Sequence, residues 1–222
     1  MKIDMHCHSH HSRDSLCSPK DILLTAKKNG LDGIAITDHD STDSWKEAEE
    51  VARTLGMVFI KAEEIKIKEN NVTIGELLAY FITDHIDPKN KTTSTIIEEI
   101  KEQSGICIIS HPFSSKKPFK KLDEYLKRVG GIEIFNSRSQ STENNERARL
   151  LAKKESLIFT AGSDAHTLFE IGNSYIESDA DDLNSLKDDI INKKIKVIGK
   201  QSPSFLQIFS PISKTVHRFH RF

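Results

Sequence analysis

Short apolar runs alternate with longer amphipathic stretches from one end of the chain to the other. Lys2–Cys7 reads as a strand, followed by a helix over 18–30 with Ser18 as N-cap, Pro19 in the first turn and Gly30 as the stop. Residues 33–37 form a second short strand, 42–55 a charged helix ending at Gly56, 57–65 a third strand and 77–82 a fourth. The polar stretch 66–75 between them is a loop or the arm of a hairpin. Helices at 94–103, 119–128, 142–155 and 181–192 then alternate with strands at 106–110, 131–135, 157–161 and 195–198. Strands of four to six residues separated by such helices imply βαβ units and a parallel sheet. About seven repeats suit a barrel or an open doubly wound sheet, and no GxGxxG or Walker-type loop favours the nucleotide-binding versions of the latter. No internal repeat or low-complexity linker divides the chain, so one domain is expected over 1–200, with a tail at 201–222 packed on it.

The polar residues fall at the ends of the apolar strands. Asp4, His6 and His8 alternate, so a regular strand projects all three from one face, with Cys7 turned the other way as a small buried thiol. Four more clusters follow later strands: Thr37-Asp38-His39-Asp40, Glu63-Glu64, Ser110-His111-Pro112 and Gly162-Ser163-Asp164-Ala165-His166. In parallel α/β folds the carboxyl ends of the strands form the active-site face, so these groups converge on one rim. Imidazole and carboxylate are the donors expected for zinc, manganese or iron. Of the paired glutamates, Glu64 shares a face with Val58, Ile60 and Ala62, the small branched side chains a barrel interior prefers, and is taken as the ligand ahead of Glu63.

Composition narrows the function. The 222 residues carry 32 basic and 33 acidic side chains, which excludes a generally basic nucleic-acid coat. No apolar run reaches the roughly 18–20 residues of a membrane span. The start reads directly as a strand, so no signal peptide is expected, and three cysteines without a CxxC pair fit reduced thiols in the cytoplasm. Ten histidines are the unusual feature, four of them within positions 6 to 11.

With these residues in view, the chain resembles the PHP family, named for polymerase and histidinol phosphatase. Asp4-Met5-His6-Cys7-His8-Ser9 matches its first motif, Thr37-Asp38-His39 its second, Ser110-His111-Pro112 its third and Ser163-Asp164-Ala165-His166 its fourth, in order, over most of the chain. The resemblance implies a distorted TIM-like barrel of about seven strand–helix units with two or three divalent ions (Zn, Mn or Fe) at the C-terminal ends of the strands. It assigns His6, His8, Glu64 and Asp164 to a first ion, and Asp14, His39 and His166 to a second. A third would sit between Glu64 and His111. Where some relatives add a His or Cys to that third site, this chain offers Asn136, whose amide oxygen is a weaker ligand.

Such a cluster implies a metal-dependent phosphoesterase acting on a small phosphorylated metabolite or nucleotide through a metal-activated hydroxide. Asp164, His166 and Glu64 are the residues expected to carry the chemistry. Arg138 is either a bidentate phosphate ligand or an exposed charge at a helix start. Asp38 and Asp40 are expected to orient His39 and its neighbours. Lys116 and Lys117 read as a solvated loop and His85 as a surface residue; His10 and His11 lie in a loop near the substrate at most, and Glu76 is assigned no part. The tail, with Phe205, Phe209, Phe219 and Phe222 and basic Lys214, His217, Arg218, His220 and Arg221, reads as a terminal helix docking its aromatics and leaving its charges wet, rather than as a nucleic-acid or membrane contact. Alternatives within the class are a phosphodiesterase or short-oligonucleotide exonuclease and a histidinol-phosphate phosphatase. Outside it stand a non-catalytic metal-binding module, disfavoured by the retained ligand set, and an amidohydrolase, disfavoured by the lack of a lysine at any strand end. Oligomeric state stays open.

Overall fold

Local chemistry sets the helix ends. Ser18 accepts the Asp21 N–H ahead of α1 (Pro19–Lys28), Gly56 closes α2 (Trp45–Leu55) in the left-handed conformation, and Asp182 and Ser185 form a capping box ahead of α6 (Leu183–Ile191). The computed structural model describes residues 1–139 and 141–219. Its remaining helices are α3 (Thr93–Glu102), α4 (Leu122–Val129), α5 (Thr142–Glu155) and α7 (Phe209–Phe219). The strands are β1 (Lys2–Cys7), β2 (Gly33–Ile36), β3 (Val58–Glu69), β4 (Val72–Tyr80), β5 (Ile106–Ile109), β6 (Gly131–Asn136), β7 (Ile158–Gly162), β8 (Ser174–Glu177) and β9 (Lys196–Gly199).

These strands form one sheet in the order β7-β6-β5-β4-β3-β2-β1-β8-β9. It curls until β7 meets the end of β1: the Asp164 N–H bonds the His6 carbonyl at 2.7 Å and the His8 N–H bonds that of Ala165 at 2.9 Å. Gly162 is required at this seam, because a Cβ there would lie 2.3 Å from the Cβ of His6. Ile3, Met5, Ala35, Ile60, Ala62, Leu78 and Tyr80 fill the interior of this distorted barrel, and α6 adds Leu186 and Ile190 to them. A second, outer core packs the helices on the sheet, with Ile22, Leu23 and Ala26 of α1 and Ile96, Ile97 and Ile100 of α3.

The sheet departs from the expected parallel order in two places. β3 and β4 form a long antiparallel hairpin, and β4 pairs antiparallel with β5 as well. Asn70 and Asn71, at φ 49° and 61°, make its two-residue turn with both centres left-handed, as a type I′ hairpin demands. The polar stretch 66–75 is the hairpin arm rather than a loop, strand apart from the turn at 70–71, its exposed positions reflecting the part of the hairpin near its tip. β8, a strand beyond those expected from the sequence, lies antiparallel between β1 and β9.

The C-terminal segment also differs from expectation. Phe205, Phe209 and Phe219 are exposed, whereas Leu206 and Ser213 are buried. The face of α7 that meets the barrel is polar because it lies over the polar rim: Lys214 Nζ is 3.4 Å from Asp14 Oδ2 and His217 Nε2 is 3.0 Å from the Ser15 carbonyl. His220, Arg221 and Phe222 lie outside the described residues. Among the described residues no helix is long and apolar enough to cross a membrane.

Candidate metal centre

An irregularity in β1 turns the first two histidines inward. Ile3 and Met5 pack in the barrel interior, but Cys7, two residues further, packs in the outer core, and the pairing with β2 slips between Asp4 and Cys7. Such a bulge exchanges the two faces of a strand. Asp4 therefore does not share a face with His6 and His8 as strict alternation predicts. It accepts the N–H groups of Ser163 and Gly172 at 2.9 Å each and ties the β7 end down, with burial pushing its carboxyl up to about 6.

The ring nitrogens are oriented by what they touch. Ser12 Oγ donates to Asp38 at 2.8 Å, so toward His8 Nδ1 (3.0 Å) and the His39 N–H (2.9 Å) it can only accept. His6 Nδ1 lies 2.9 Å from Glu133 Oε1 and His166 Nδ1 lies 2.8 Å from the Asp164 carbonyl, both acceptors. Each of these three rings thus carries its Nδ1 proton outward and aims Nε2 into the cluster, the arrangement metal-binding histidines adopt. Asp38 orients His8 and His39 through Ser12, and accepts the Ser9 N–H as well. Asp40 does not touch His39: its carboxylate accepts the Lys66 N–H at 2.7 Å and ties the loop to β3.

Around these nitrogens the carboxylates stand at a characteristic spacing. His8 Nε2 is 3.3 Å from Asp164 Oδ1 and 3.5 Å from Glu64 Oε2, and His6 Nε2 is 3.6 Å from both Glu64 Oε1 and Asp164 Oδ1. Asp14 lies 3.4 Å from His39 Nε2 and 3.5 Å from His166 Nε2. His111 Nε2 lies 3.3 Å from Glu64 Oε1. These separations exceed a good hydrogen bond. They match the edge of a tetrahedron about 3.4 Å long around an ion with ligands at about 2.0–2.1 Å. The donor set therefore fits divalent ions. His6, His8 and Asp164 converge at one position, with Glu64 within 3.6 Å of both rings; Asp14, His39 and His166 converge at another, where His8 also reaches; His39, Glu64 and Glu76 form a third group.

The electrostatics say the same. Burial opposes the charge on Glu64, yet His6 and His39 hold its carboxyl well below the usual range, and His6 does the same for Asp164. Burial works against protonation of His39 as well, but Glu64 beside it pulls its pKa up to about 9; burial together with His166 lowers His8 to about 4. Buried carboxylates that force neighbouring imidazoles to keep protons are a site short of cations, and ions entering would release those protons. Two of the strand-end residues, His111 (φ 25°) and Asp164 (φ 53°), hold backbone conformations unfavourable for any side chain, a cost that clusters at functional sites.

A cavity of about 250 Å³ opens over the cluster. Its wall carries Lys116, Lys117, Arg138 and Lys214, the last from α7. Arg138 is not an exposed helix-start charge: its Nε is 3.1 Å from the buried Glu170 Oε1 and its Nη1 donates to Ser210 at 3.1 Å. Glu170 Oε2 in turn accepts the His166 and Thr167 N–H groups, so Arg138 also braces the His166 loop. Asn136 is not arranged as a ligand. Its amide nitrogen donates to Glu133 Oε2 (3.1 Å) and Asp164 Oδ2 (3.2 Å), while its oxygen accepts the Arg138 N–H at 2.9 Å, and that pattern fixes the amide with its NH2 toward the cluster. The His10 and His11 rings pack on each other with centroids 4.3 Å apart, and neither belongs to a donor group. His85, exposed as expected, bonds Glu63 on the outer face of β3.

The structure adds Glu76, Glu133, Glu170, Lys117 and Lys214. Glu76 is 2% exposed, with Oε2 3.3 Å from His111 Nε2 and Oε1 3.0 Å from Lys117 Nζ. Its signal was alternation: it shares the inward face of β4 with Leu78 and Tyr80. Glu133, a lone acid within the apolar Gly131-Ile132-Glu133-Ile134-Phe135, signalled itself in the same way.

Comparison with known proteins places this geometry among relatives. A PHP-associated family model matches residues 142–193, the segment carrying Asp164 and His166. An uncharacterized protein of Methanocaldococcus jannaschii is 34% identical over 203 residues, covering 87% of this chain and 76% of that protein. A probable phosphatase of Shewanella loihica is 28% identical over 202 residues, 77% of this chain and 80% of its own length. A solved two-domain protein from Bacteroides vulgatus, containing a predicted PHP-like metal-dependent phosphoesterase, shares the fold with a TM-score of 0.75 at 20% identity, covering 96% of this chain and 69% of that one.

Proposed function

The chain belongs to the PHP family of metal-dependent phosphoesterases, and from that premise we propose that it hydrolyses phosphate monoesters of a small metabolite or nucleotide at the imidazole–carboxylate rim. The observation that carries this reading is the cluster of inward-facing Nε2 atoms and carboxylates at metal-ligand spacing beneath a cavity walled by lysine and arginine. His6, His8, Asp14, His39, Glu64, Asp164 and His166 would hold divalent ions, which would supply Lewis acidity to a water and to the phosphoryl group. Mixed imidazole and carboxylate donors without a thiolate suit Mn, Fe or Zn; Cys7, the nearest thiol in sequence, points away to the Ala35 carbonyl.

The protein's own groups do the rest. Glu64, reached by His6, His8, His39 and His111, is the ligand shared between positions, and Asp164 is held by Asn136 and the β7 seam. Arg138, anchored through Nε on Glu170, presents its guanidinium at the cavity wall, where it binds the anionic group. A cavity of about 250 Å³ takes a phosphoryl head and a small leaving group; it is smaller than the roughly 300–1,000 Å³ of sites that enclose a larger ligand. Ser210, Pro211 and Lys214 wall one side, which favours a terminal monoester over a diester needing chain exits on both sides.

The test is phosphate release by manganese-loaded protein against mononucleotides, bisphosphorylated nucleotides, histidinol phosphate and sugar phosphates, with Asp164→Asn as blank. Release absent from the blank is expected. Silence on every monoester from protein that carries its ions would contradict the reading, and turnover of diesters or short oligonucleotides alone would replace it.

A further inference from the structure

The third cation position has an unusual occupant. The resemblance to the PHP family puts an ion between Glu64 and His111, yet Asn136 turns its NH2 toward the cluster and offers no donor. Glu76 stands there instead, fully buried, with Oε2 3.3 Å from His111 Nε2; it completes with His39 and Glu64 a donor group of metal-binding spacing, and its carboxylate needs a cation, either an ion or a side chain. That cation is in place. Lys117 Nζ lies 3.0 Å from Glu76 Oε1 and 3.3 Å from Oε2, so the ammonium closes the fork of the carboxylate.

The loop that carries the lysine is built to hold it there. Its backbone is tied by Ser114 N–H to the His111 carbonyl at 2.9 Å and by Phe119 N–H to the Pro112 carbonyl at 3.1 Å. The Lys117 N–H bonds Ser114 Oγ at 3.2 Å. Phe119 is buried against Gly75, where a Cβ would lie 2.3 Å from its ring, so the loop docks on β4 next to Glu76 only because residue 75 has no side chain. Partial burial opposes the lysine's charge, but Glu76 keeps the ammonium protonated above its ordinary range. Lys117 also lines the cavity over the other two positions.

We propose that the Lys117 ammonium, clamped by Glu76, is the third cation of this centre, so that the protein works with two exchangeable ions and one tethered charge. The inference deepens the metal-centre reading and rests on it. It makes Lys117 a substrate-facing group that contacts a phosphoryl oxygen, and makes Glu76 the residue that positions it.

Metal content tests it independently of turnover. Protein equilibrated with Mn²⁺, passed through a desalting column and measured by elemental analysis should retain two ions per chain. Lys117→Met keeps the stem but frees Glu76 beside His111, and the count should rise to three. Lys117→Arg and the double variant Lys117→Met/Glu76→Gln should stay at two. On a substrate found by the release assay, Lys117→Met should turn over about tenfold more slowly at limiting Mn²⁺ and recover as the added ion fills the position. Three ions retained by the wild type would overturn the inference, even if no variant folds, and so would a Lys117→Met protein holding two ions at unchanged turnover. Retention of no ions by the wild type would instead overturn the metal centre itself.

Discussion

Glu63 and Glu64 are neighbours on β3 and equally buried, at 0% and 1% exposure, yet they belong to different chemistry. Glu63 faces outward and is satisfied in the ordinary way: His85 Nδ1 lies 2.9 Å from one oxygen and the Ile86 N–H donates to the other at 2.8 Å. Burial dominates there and pushes its carboxyl up to about 7. Glu64 faces the barrel interior, where one hydroxyl, from Ser110 at 2.7 Å, and four imidazoles surround it. Burial is as complete, but His6 and His39 outweigh it and hold Glu64 ionised. Burial alone therefore does not mark a functional carboxylate. The mark is a surplus of facing nitrogens: four imidazoles converge on Glu64, where Glu63 meets one.

The largest effects should come from the interior side of this contrast. Asp164→Asn and His8→Ala each remove a donor from the first ion position, and each should lower kcat/KM by about a thousandfold or more, since metal stabilisation of the transition state is worth several kcal/mol. Circular dichroism should remain that of the wild type. Near-normal turnover in both would remove the cluster from the mechanism. A smaller, split effect is expected at Arg138, which faces the substrate on one side and Glu170 on the other. Arg138→Ala should raise KM by about tenfold through the lost charge-assisted contact. A fall in kcat at constant KM would show instead that Arg138 acts only by bracing the His166 loop through Glu170.

What the sequence disclosed, and what it did not, follows the same physics. Polar residues ending apolar strands stand out against their surroundings, so His6, His8, His39, Glu64, His111, Asp164 and His166 were legible one by one; the alternation of strands and helices left a barrel or an open sheet, and the resemblance to the PHP family pointed to the barrel. Glu76 was not, because the site was sought at strand C-termini. β4 runs antiparallel to its neighbours and extends its N-terminal part beyond that end, so a residue midway along it arrives at the rim. The Asn70-Asn71 turn carried the missing signal, since paired left-handed asparagines join hairpin strands. The bulge in β1 was hidden because His6 and His8 keep their mutual spacing and only Asp4 changes face. Lys214 was illegible for another reason: its place depends on how α7 lies across the rim, and no local pattern records that. The exposure of Phe205, Phe209 and Phe219 reversed the expected polarity of the same segment.

Glu63 and Glu64, adjacent and both buried, divide between an ordinary buried hydrogen-bonded pair and a metal centre. The most direct measurement is the manganese content and phosphate-releasing activity of Glu64→Gln beside Glu63→Gln. Glu64→Gln should lose at least one bound ion and nearly all activity, while Glu63→Gln keeps the wild-type ion count and turns over within about twofold of wild type, as expected for a change that leaves transition-state contacts in place. Equal loss of ions in both variants, or full retention in Glu64→Gln, would contradict this division.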